Sequence, residues 1–316
     1  MTKYALIFPG QGAQKAGMGK DLYDNYSAAK NVFKTADEVL GYSISDLCFN
    51  GTDEDLMKTI NSQPAILTVS LAAYEALREV GNFEGVCTAG HSLGEYAALY
   101  AAGAVDLKTV LLLISKRAYL MNEAANKTNG LMAAVIGLPD QTVIDITNGI
   151  NNVYVANFNS PGQVVITGDK DAITNHLDNY KEAGAKKVIP LAVSGAFHSP
   201  LMQEAAREFE DFVKHFEIKN SYIPVYTNVD AKSETQGDIF KEKLPKQIYS
   251  SVLWTQTINN ILNTGVNNFI EIGPGKVLAG LNRKINPEIK TLNVYDNESL
   301  NITLEELLNN REKEFI

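Results

Sequence analysis

The sequence predicts an α/β fold with a parallel sheet core and a small inserted subdomain. Short apolar strand segments alternate with helical segments along most of the chain, as in sheets covered by helices. Residues 131–192 instead follow the order strand, helix, strand, strand, helix, strand, which is typical of a ferredoxin-like unit. We therefore predict a large subdomain over residues 1–127 and 197–316 and an inserted small subdomain over residues 128–196.

The elements before the insert are predicted from apolar runs and breaker residues. Tyr4–Phe8 is a short apolar run that ends at a Pro-Gly pair, so it predicts a buried strand leading into a loop. A long helix is predicted next, with Ser62 as its cap, Pro64 in its first turn and Gly81 at its end. Residues 107–125 predict another helix.

The insert and the rest of the chain are predicted in the same way. The insert is expected to leave the large subdomain through Asn126–Gly130 and to return through Val193–Pro200. Its predicted strands are 131–136, 153–157, 163–167 and 187–191, and its predicted helices are 141–148 and 170–183. After the insert, the patterns predict a helix along 201–213, strands at 222–228 and 268–273, and a helix at 274–285.

The stretch GHSLG, Gly90–Gly94, places a serine between two glycines at the start of a helical pattern. A short strand over 85–89 precedes it, and apolar residues from Leu93 to Ala101 recur at the spacing of an amphipathic helix. A serine at such a turn needs strained backbone angles and small neighbours, and the positive end of the helix can stabilise an oxyanion. We predict that Ser92 is a nucleophile; the alternative is a serine that only caps the helix.

A nucleophilic serine needs a base, and the chain has four histidines. His91 adjoins the serine, but its side chain is expected to point elsewhere on the turn. His176 and His215 lie among charged residues on helices and are expected on solvated faces. His198 lies where the insert rejoins the large subdomain, and such junctions favour ligand clefts. His198 is the predicted base, with a hydrogen-bonded structural histidine as the alternative.

Arg117 interrupts an apolar helical stripe formed by Ile114, Ala118 and Met121. Its position predicts a guanidinium on the core side of the helix. The side chain could snorkel to water or pair with a carboxylate of the protein. Alternatively, its planar fork could bind a carboxylate of the substrate through two hydrogen bonds.

The N-terminal loop PGQGAQKAG is rich in glycine but lacks the Gly-Lys-Ser/Thr end of a phosphate-binding loop. A loop that brings backbone N–H groups close to a ligand fits this composition better. We interpret the loop as the source of a second oxyanion donor.

Composition limits the partners and the compartment. The net charge of −9 argues against nucleic acid and anionic membranes as main partners, because both attract basic surfaces. The basic clusters Lys186–Lys187 and Arg283, Lys284 and Lys290 could still contact an acidic protein; the alternative is solvated surface cations. Two cysteines without metal or disulfide spacing, no signal-peptide pattern and no spanning apolar run predict a cytoplasmic protein. We expect a monomer, since no dimer signature is visible.

Eight motifs occur in register along the chain: IFPGQGAQ, QPAI, GHSLGEYAAL, KRAYLM, NFNSPGQVVITG, AFHSPLM, QIYSSVLWT and EIGPGKVLAGL. With these motifs the sequence resembles the malonyl-CoA:acyl carrier protein transacylase family, which shares them with acyltransferase domains of polyketide synthases. The resemblance covers residues 3 to about 295. It implies an α/β-hydrolase-like large subdomain with a ferredoxin-like insert.

The resemblance also implies catalytic roles for matching positions. Ser92 carries the acyl group, and His198 is its base. A main-chain carbonyl, expected at Gln247, orients this base in place of an aspartate. Backbone N–H groups of Gln11 and Leu93 form the oxyanion hole.

Further positions are implied to contact the substrate. Arg117 binds the malonyl carboxylate, and Met121, Asn157 and Asn159 lie near the acyl pocket. Phe197, directly before the base, resembles the residue at this position in malonyl-selective members of the family; simple packing is the alternative.

The implied reaction moves a malonyl group from malonyl-CoA to the phosphopantetheine thiol of acyl carrier protein through a malonyl-serine, without a metal or organic cofactor. The pathway is fatty acid biosynthesis, or a polyketide line served in trans. A thioesterase or esterase shares the G-x-S-x-G pattern, but its histidine usually lies near the C-terminus. Here a long segment follows His198 and an insert separates it from Ser92. A carrier-docking subunit with a vestigial serine and histidine is the non-enzymatic alternative.

Overall fold

The computed structural model describes residues 2–81, 83–193 and 195–313. Within them, ten strands form two sheets: β1 (Tyr4–Phe8), β2 (Cys87–Gly90), β3 (Gly130–Ile136), β4 (Val153–Ser160), β5 (Gln163–Asp169), β6 (Lys187–Pro190), β7 (Val225–Tyr226), β8 (Ser233–Glu234), β9 (Asn268–Ile272) and β10 (Lys290–Val294). The same residues form fourteen α-helices: α1 (Lys20–Asn25), α2 (Ser27–Leu40), α3 (Ile44–Asn50), α4 (Asp53–Met57), α5 (Thr59–Gly81), α6 (Gly94–Ala101), α7 (Leu107–Lys127), α8 (Asp140–Asn148), α9 (Lys170–Glu182), α10 (Gln203–Val213), α11 (Gly237–Tyr249), α12 (Trp254–Leu262), α13 (Val277–Ile285) and α14 (Asn297–Lys313). None of these helices combines the length and the apolar character that crossing a membrane requires.

The larger sheet has the strand order β10-β9-β1-β2-β7-β8. Its first five strands are parallel, and β8 is an antiparallel edge strand. β1 is central and fully buried because side chains on its two faces enter different clusters. Leu6 and Phe8 pack into the large core beneath α5 and α7, whereas Ala5 and Ile7 pack against α12 and α13. The predicted α/β fold with a parallel sheet core is confirmed.

The carboxyl ends of parallel strands meet at one edge of a sheet, and this geometry positions the site. β1 ends there at Phe8, β2 at Gly90 and β9 at Ile272. The loops that follow these three strands therefore lie together. Among them are the glycine-rich N-terminal loop and the GHSLG turn.

The smaller sheet is antiparallel, with the strand order β4-β5-β3-β6. α8 and α9 cover one face of it through a separate cluster that includes Val143, Ile173 and Tyr180. The predicted order of strands and helices is present, and β4 runs three residues further than the predicted strand, to Ser160. Ser194, in the predicted return of the insert, lies outside the described residues, as do residues 1, 82 and 314–316.

β4 also pairs with the segment around Val252, which lies outside the small sheet. The N–H of Val252 donates to the carbonyl of Ala156 at 2.8 Å, and the N–H of Phe158 donates to the carbonyl of Val252 at 3.0 Å. The hydroxyls of Ser251 and Thr255 donate to β4 carbonyls at 2.6 and 3.0 Å. One strand is therefore shared between the small sheet and the body of the protein.

Two predicted helix starts are wrong. The helix expected to be capped by Ser62 begins at Thr59, because the N–H groups of Asn61 and Ser62 already donate to the Lys58 carbonyl at 2.8 Å. Ser62 lies inside the helix and its hydroxyl bonds back to Thr59. The helix expected from residue 274 begins at Val277, because a turn with positive φ at Gly275 (79°) intervenes.

Two further predictions need correction. The strand expected over 222–228 is reduced to Val225–Tyr226, because the N–H of Tyr222 donates to Ala102 and the chain turns after Tyr226. The helix predicted as amphipathic, α6, is buried on all sides, with only Tyr100 partly exposed. Its polar residue Glu95 is therefore in the protein interior.

Candidate active site

A cavity of about 520 Å³ opens where the small sheet meets the carboxyl edge of the large sheet. Nine of the ten predicted site residues line it, and Gln247 lies behind His198. The lining residues are Gln11, Gly12, Gln14, Asp53, Met57, Gln63, His91, Ser92, Leu93, Arg117, Met121, Met132, Asn157, Asn159, Val165, Leu191, Ala192, Val193, Phe197 and His198.

Ser92 lies at the apex of the turn between β2 and α6 with a φ of 52°, in the left-handed region that side chains other than glycine rarely adopt. The flanking glycines are required by close packing. A Cβ atom on Gly90 would lie 1.9 Å from the Gly94 backbone, and one on Gly94 would lie 2.2 Å from the Phe8 carbonyl oxygen. The G-x-S-x-G pattern therefore presses the turn against α6 and β1 and leaves the serine hydroxyl facing the cavity.

The hydroxyl of Ser92 lies 2.8 Å from Nε2 of His198. On the other side of the ring, Nδ1 lies 2.9 Å from the Gln247 carbonyl oxygen and 3.2 Å from that of Ser250. Because both of these partners are acceptors, Nδ1 carries the hydrogen and Nε2 has the free lone pair. The imidazole is thus held in the tautomer that can accept the Ser92 proton.

His198 is only 5% exposed. Burial, followed by the positive charge of Arg117, lowers the pKa of His198 from 6.5 to about 3. The two carbonyl acceptors oppose this shift without cancelling it. At neutral pH the side chain is therefore a neutral acceptor, as general-base catalysis requires.

Arg117 is 1% exposed, so the alternative of snorkelling to water is wrong. Its Nη2 donates to the Ser92 hydroxyl at 3.0 Å and to the Gln247 side-chain oxygen at 2.9 Å, and Nη1 donates to Gln63. No ion pair within the described residues includes this guanidinium. A buried cation with only neutral hydrogen-bond partners faces the cavity beside the nucleophile.

In the hydrogen-bond network, the guanidinium of Arg117 is linked to the carboxyl group of Glu95 through one intervening side chain. Gln247 connects the two: its side-chain oxygen accepts from Arg117, and its Nε2 donates to Glu95 at 2.9 Å and to the Ser92 carbonyl at 3.0 Å. Burial raises the pKa of Glu95 to about 7, against the lowering effect of its hydrogen bonds and of Arg117. The amide of Gln247 is thereby fixed in one orientation.

Two backbone N–H groups at the cavity are available to a ligand. No hydrogen bond within the described residues uses the N–H of Gln11 or of Leu93. The N–H of Ser92 itself is occupied, because it donates to the Asn228 side chain at 2.7 Å. Gln11 follows β1 and Leu93 begins the turn of α6, so they approach the cavity from neighbouring strands of the sheet.

The remaining predicted residues form the walls around the nucleophile. Met121 receives a contact from Gln63 Nε2 at 3.6 Å, and Phe197 is 3% exposed directly before the base. Asn157 and Asn159 come from β4, and Asn159 Oδ1 lies 2.8 Å from Nε2 of His91.

His91 makes no hydrogen bond to Ser92 but does line the cavity, and burial lowers its pKa. The expected exposure holds for His215, while His176 is partly buried and bonds to the Ala172 carbonyl. The exposed cations of both basic clusters lie outside the cavity lining. Lys284 reaches the small sheet by donating to Gln163 at 2.9 Å.

Sequence reasoning missed three residues of the network: Gln63, Glu95 and Asn228. Gln63 and Glu95 occur within the motifs QPAI and GHSLGEYAAL, and each is a polar residue next to an apolar run on its helix. That pattern could have marked them. Asn228 follows the short strand β7 and has no such local signal.

Known proteins resemble this chain over nearly its whole length. Residues 5–295 match the family described as acyl transferase domain. The malonyl CoA-acyl carrier protein transacylase of Bacillus subtilis is 44% identical over 311 residues, covering 97% of this chain and 98% of that protein. The structure of an acyl carrier protein S-malonyltransferase from Vibrio cholerae has a TM-score of 0.92 and 41% identity, covering 96% of this chain and all (100%) of that one. A malonyl-transacylase solved in complex with a type II PKS acyl-carrier protein has a TM-score of 0.93 and 39% identity, with coverage of 96% and 100%.

Proposed function

This chain belongs to the acyl transferase family, and from that premise we propose that it transfers a malonyl group from malonyl-CoA to the phosphopantetheine thiol of an acyl carrier protein. The carrier of the malonyl group between the two thiols is an ester of Ser92. The observation that supports malonyl as the acyl group is the buried Arg117, which donates to the nucleophile and forms no ion pair with a carboxylate among the described residues.

Acylation begins when His198 Nε2 takes the proton of the Ser92 hydroxyl and the oxygen attacks the thioester carbonyl of malonyl-CoA. The resulting oxyanion accepts hydrogen bonds from the N–H groups of Gln11 and Leu93, each of which contributes roughly 3 kcal/mol. The carbon–sulfur bond then breaks. The proton held by His198 passes to the CoA sulfur, which leaves as the thiol.

Transfer to the carrier protein repeats these steps with a second thiol. His198 takes the proton of the phosphopantetheine thiol, whose sulfur attacks the malonyl ester. Collapse of the second tetrahedral intermediate breaks the bond to Ser92 Oγ, which recovers its proton from the imidazole. These steps involve no change of oxidation state, and we propose that the residues named above carry them out without a metal or organic cofactor.

Arg117 selects the acyl group by its charge. A charge-assisted hydrogen bond contributes about 1.5–3 kcal/mol, and leaving a buried charge unpaired costs at least as much. An acetyl group has no carboxylate to offer the guanidinium. A difference of about 3 kcal/mol corresponds to roughly 100-fold discrimination in favour of malonyl.

The test compares malonyl and acetyl transfer in Arg117→Ala. We expect malonyl transfer to fall by roughly 100-fold while acetyl transfer holds or rises. Arg207→Ala, which removes an exposed arginine of α10, is the matched control and should change neither rate. A parallel fall of both rates in Arg117→Ala would show that the arginine is structural and contradict its proposed role.

The competing function is hydrolysis, because esterases share the G-x-S-x-G turn. Incubation with malonyl-CoA, with and without carrier protein, separates the two. A transferase accumulates a malonyl adduct that intact-mass spectrometry detects and that is absent in Ser92→Ala. Release of malonate at equal rates with and without the carrier would instead indicate a hydrolase.

We further propose that the basic clusters contact the carrier protein. Lys187 starts β6, which leads to Leu191 in the cavity wall about 13 Å further along the strand. Charge reversal in Lys187→Glu is expected to raise KM for the carrier and leave KM for malonyl-CoA unchanged. Lys34→Glu, on the exposed face of α2, is the control. If both variants had the same KM for the carrier, Lys187 would not be part of the surface that binds it.

A further inference from the structure

Asn228 is a fully buried polar residue that the reaction steps above do not use. It follows β7 at the carboxyl edge of the large sheet and is 1% exposed. Three of its four hydrogen bonds go to the nucleophile turn and the helix that follows it, and in the fourth its main-chain carbonyl accepts from the Leu253 N–H at 3.1 Å. Its Oδ1 accepts from the Ser92 N–H at 2.7 Å, its Nδ2 donates to the Gly90 carbonyl at 2.7 Å, and its own N–H donates to Glu95 at 2.9 Å.

These bonds bracket the strained residue. Gly90 lies before Ser92 and Glu95 lies after it, so Asn228 contacts the turn on both sides of the left-handed residue. Such a conformation persists only where the surroundings over-determine it. A side-chain amide is suited to this position because one end accepts and the other donates, which matches the N–H and carbonyl it meets.

The contacts of Asn228 also connect to Arg117, the cation that is proposed to bind the acyl group. Oε2 of Glu95 accepts both the Asn228 N–H and Nε2 of Gln247, and Gln247 in turn accepts from Arg117. Asn228 also occupies the Ser92 N–H, which leaves the neighbouring Leu93 N–H as the donor that the turn offers to an oxyanion.

We propose that Asn228 is a positioning residue that fixes the Ser92 hydroxyl against His198 Nε2 by holding the nucleophile turn in its left-handed conformation. This inference deepens the proposed function and rests on it for the acyl-transfer measurements. Loss of the bracket displaces the hydroxyl from the base without removing any group that contacts the substrate. The expected signature is a fall in kcat with little change in KM.

The first experiment uses Asn228→Ala and two readouts of Ser92 reactivity, each measured well below the unfolding temperature. One is malonylation by malonyl-CoA, followed by rapid quench and intact mass. The other is labelling by a small fluorophosphonate, which needs the activated serine but no acyl-CoA site. We expect both rates to fall together by roughly 10- to 100-fold, since small misplacements of reacting groups have effects of this size. KM for malonyl-CoA should stay within about threefold.

Asn293→Ala is the control for lost stability. The Asn293 amide donates to Glu271 at 3.1 Å on β10, which β9 and β1 separate from β2, so its loss weakens the fold without touching the nucleophile turn. Wild-type rates in Asn228→Ala would overturn the proposal. A wild type that reacts with the fluorophosphonate but not with malonyl-CoA would count against the proposed function and leave this inference standing.

Asn228→Asp decides the matter if the alanine variant does not fold. An ionised carboxylate cannot donate to the Gly90 carbonyl, whereas a protonated carboxyl can donate there and still accept from Ser92. The fluorophosphonate labelling rate, divided by that of wild type at each pH, should therefore rise as the pH falls. Glu95, Asp230 and Lys243, the charged groups around this loop, are present in both proteins, so the pH dependence of the ratio comes from the new carboxyl and its coupling to these groups. A ratio that does not change with pH would overturn the proposal.

Discussion

β2 and β9 both end at the carboxyl edge of the large sheet, and each passes through a tight turn into a helix. Each unit also holds a fully buried glutamate, Glu95 on α6 and Glu271 on β9, and burial raises the pKa of both carboxyls to about 7. The partners differ. Glu271 accepts from the first N–H groups of α13, at Leu278 and Ala279, whereas Glu95 accepts from the network behind the nucleophile.

The backbone conformations of the two turns also differ, in the type of residue that has a positive φ. In the β9 turn the positive φ values fall on glycines, 132° at Gly273 and 79° at Gly275, where they cost little. In the β2 turn the positive φ falls on Ser92. The left-handed conformation at this turn falls on the residue whose hydroxyl faces the base, so similar burial of a glutamate does not imply a similar role.

The largest expected difference comes from removing one key side chain from each of the two strand–turn–helix units. Ser92→Ala should lower malonyl transfer by about 10⁴-fold or more, because the nucleophile is lost, and should leave the unfolding temperature nearly unchanged. Glu271→Ala should retain wild-type kcat per folded molecule but lose about 3 kcal/mol of stability, because buried donors on α13 and Asn293 lose their acceptor. Transfer assays and denaturant unfolding measure the two quantities. A large loss of kcat in Glu271→Ala would break the comparison.

The second difference lies in the dependence of stability on pH. The pKa of Glu271 is raised from 4.5 in the unfolded chain to about 7 in the folded one, so its contribution is complete below pH 4.5 and is lost as the pH rises through 7. The loss amounts to about 3 kcal/mol. In Glu271→Gln the unfolding free energy should no longer show this fall with rising pH, and only the fall caused by Glu95 should remain.

His198 contributes with the opposite sign, because its lowered pKa makes stability fall as the pH drops from 6.5 towards 3. The quantity to measure is therefore the difference between Glu271→Gln and wild type at each pH. A difference that stays constant between pH 4.5 and 7 would show that Glu271 does not titrate in this range.

The smallest expected effect concerns Glu95 and substrate binding. Loss of its proton near pH 7 places a negative charge close to Arg117, which weakens the attraction of that guanidinium for the malonyl carboxylate. KM for malonyl-CoA should rise a few-fold between about pH 6 and pH 8 in wild type. In Glu95→Gln, whose side-chain oxygen can keep both hydrogen bonds, KM should be flat. The same pH dependence in Glu95→Gln as in wild type would assign it to another group.

Local sequence patterns were sufficient to predict the turn at Ser92 and the order of the strands and helices. The two glycines around Ser92 are visible because close packing leaves room for no other residue. His198 could be reached only by elimination, because its own left-handed conformation, with a φ of 58°, carries no glycine signature. Short strands and helix starts were less predictable, since tertiary hydrogen bonds decide them.

The supporting residues of the site illustrate what local patterns cannot supply. Asn228 lies 136 residues from Ser92 in sequence, and the Gln247 amide reaches the same turn from 155 residues away. Each arrives from a separate element, and only the assembled sheet brings them together. Their types are ordinary for loops and helices, so composition and periodicity contain no sign of the contact.

The strand shared by the small sheet and the body of the protein has a consequence for access to the cavity. β4 is hydrogen-bonded to the segment around Val252 while it supplies Asn157 and Asn159 to the cavity wall. A rotation of the small sheet away from the large sheet would break these hydrogen bonds, so they oppose opening of the cavity by such a motion. The entrance that an acyl group meets therefore does not depend on a movement of the small sheet. A bulkier acyl group must be accommodated by rotamer changes of individual wall residues.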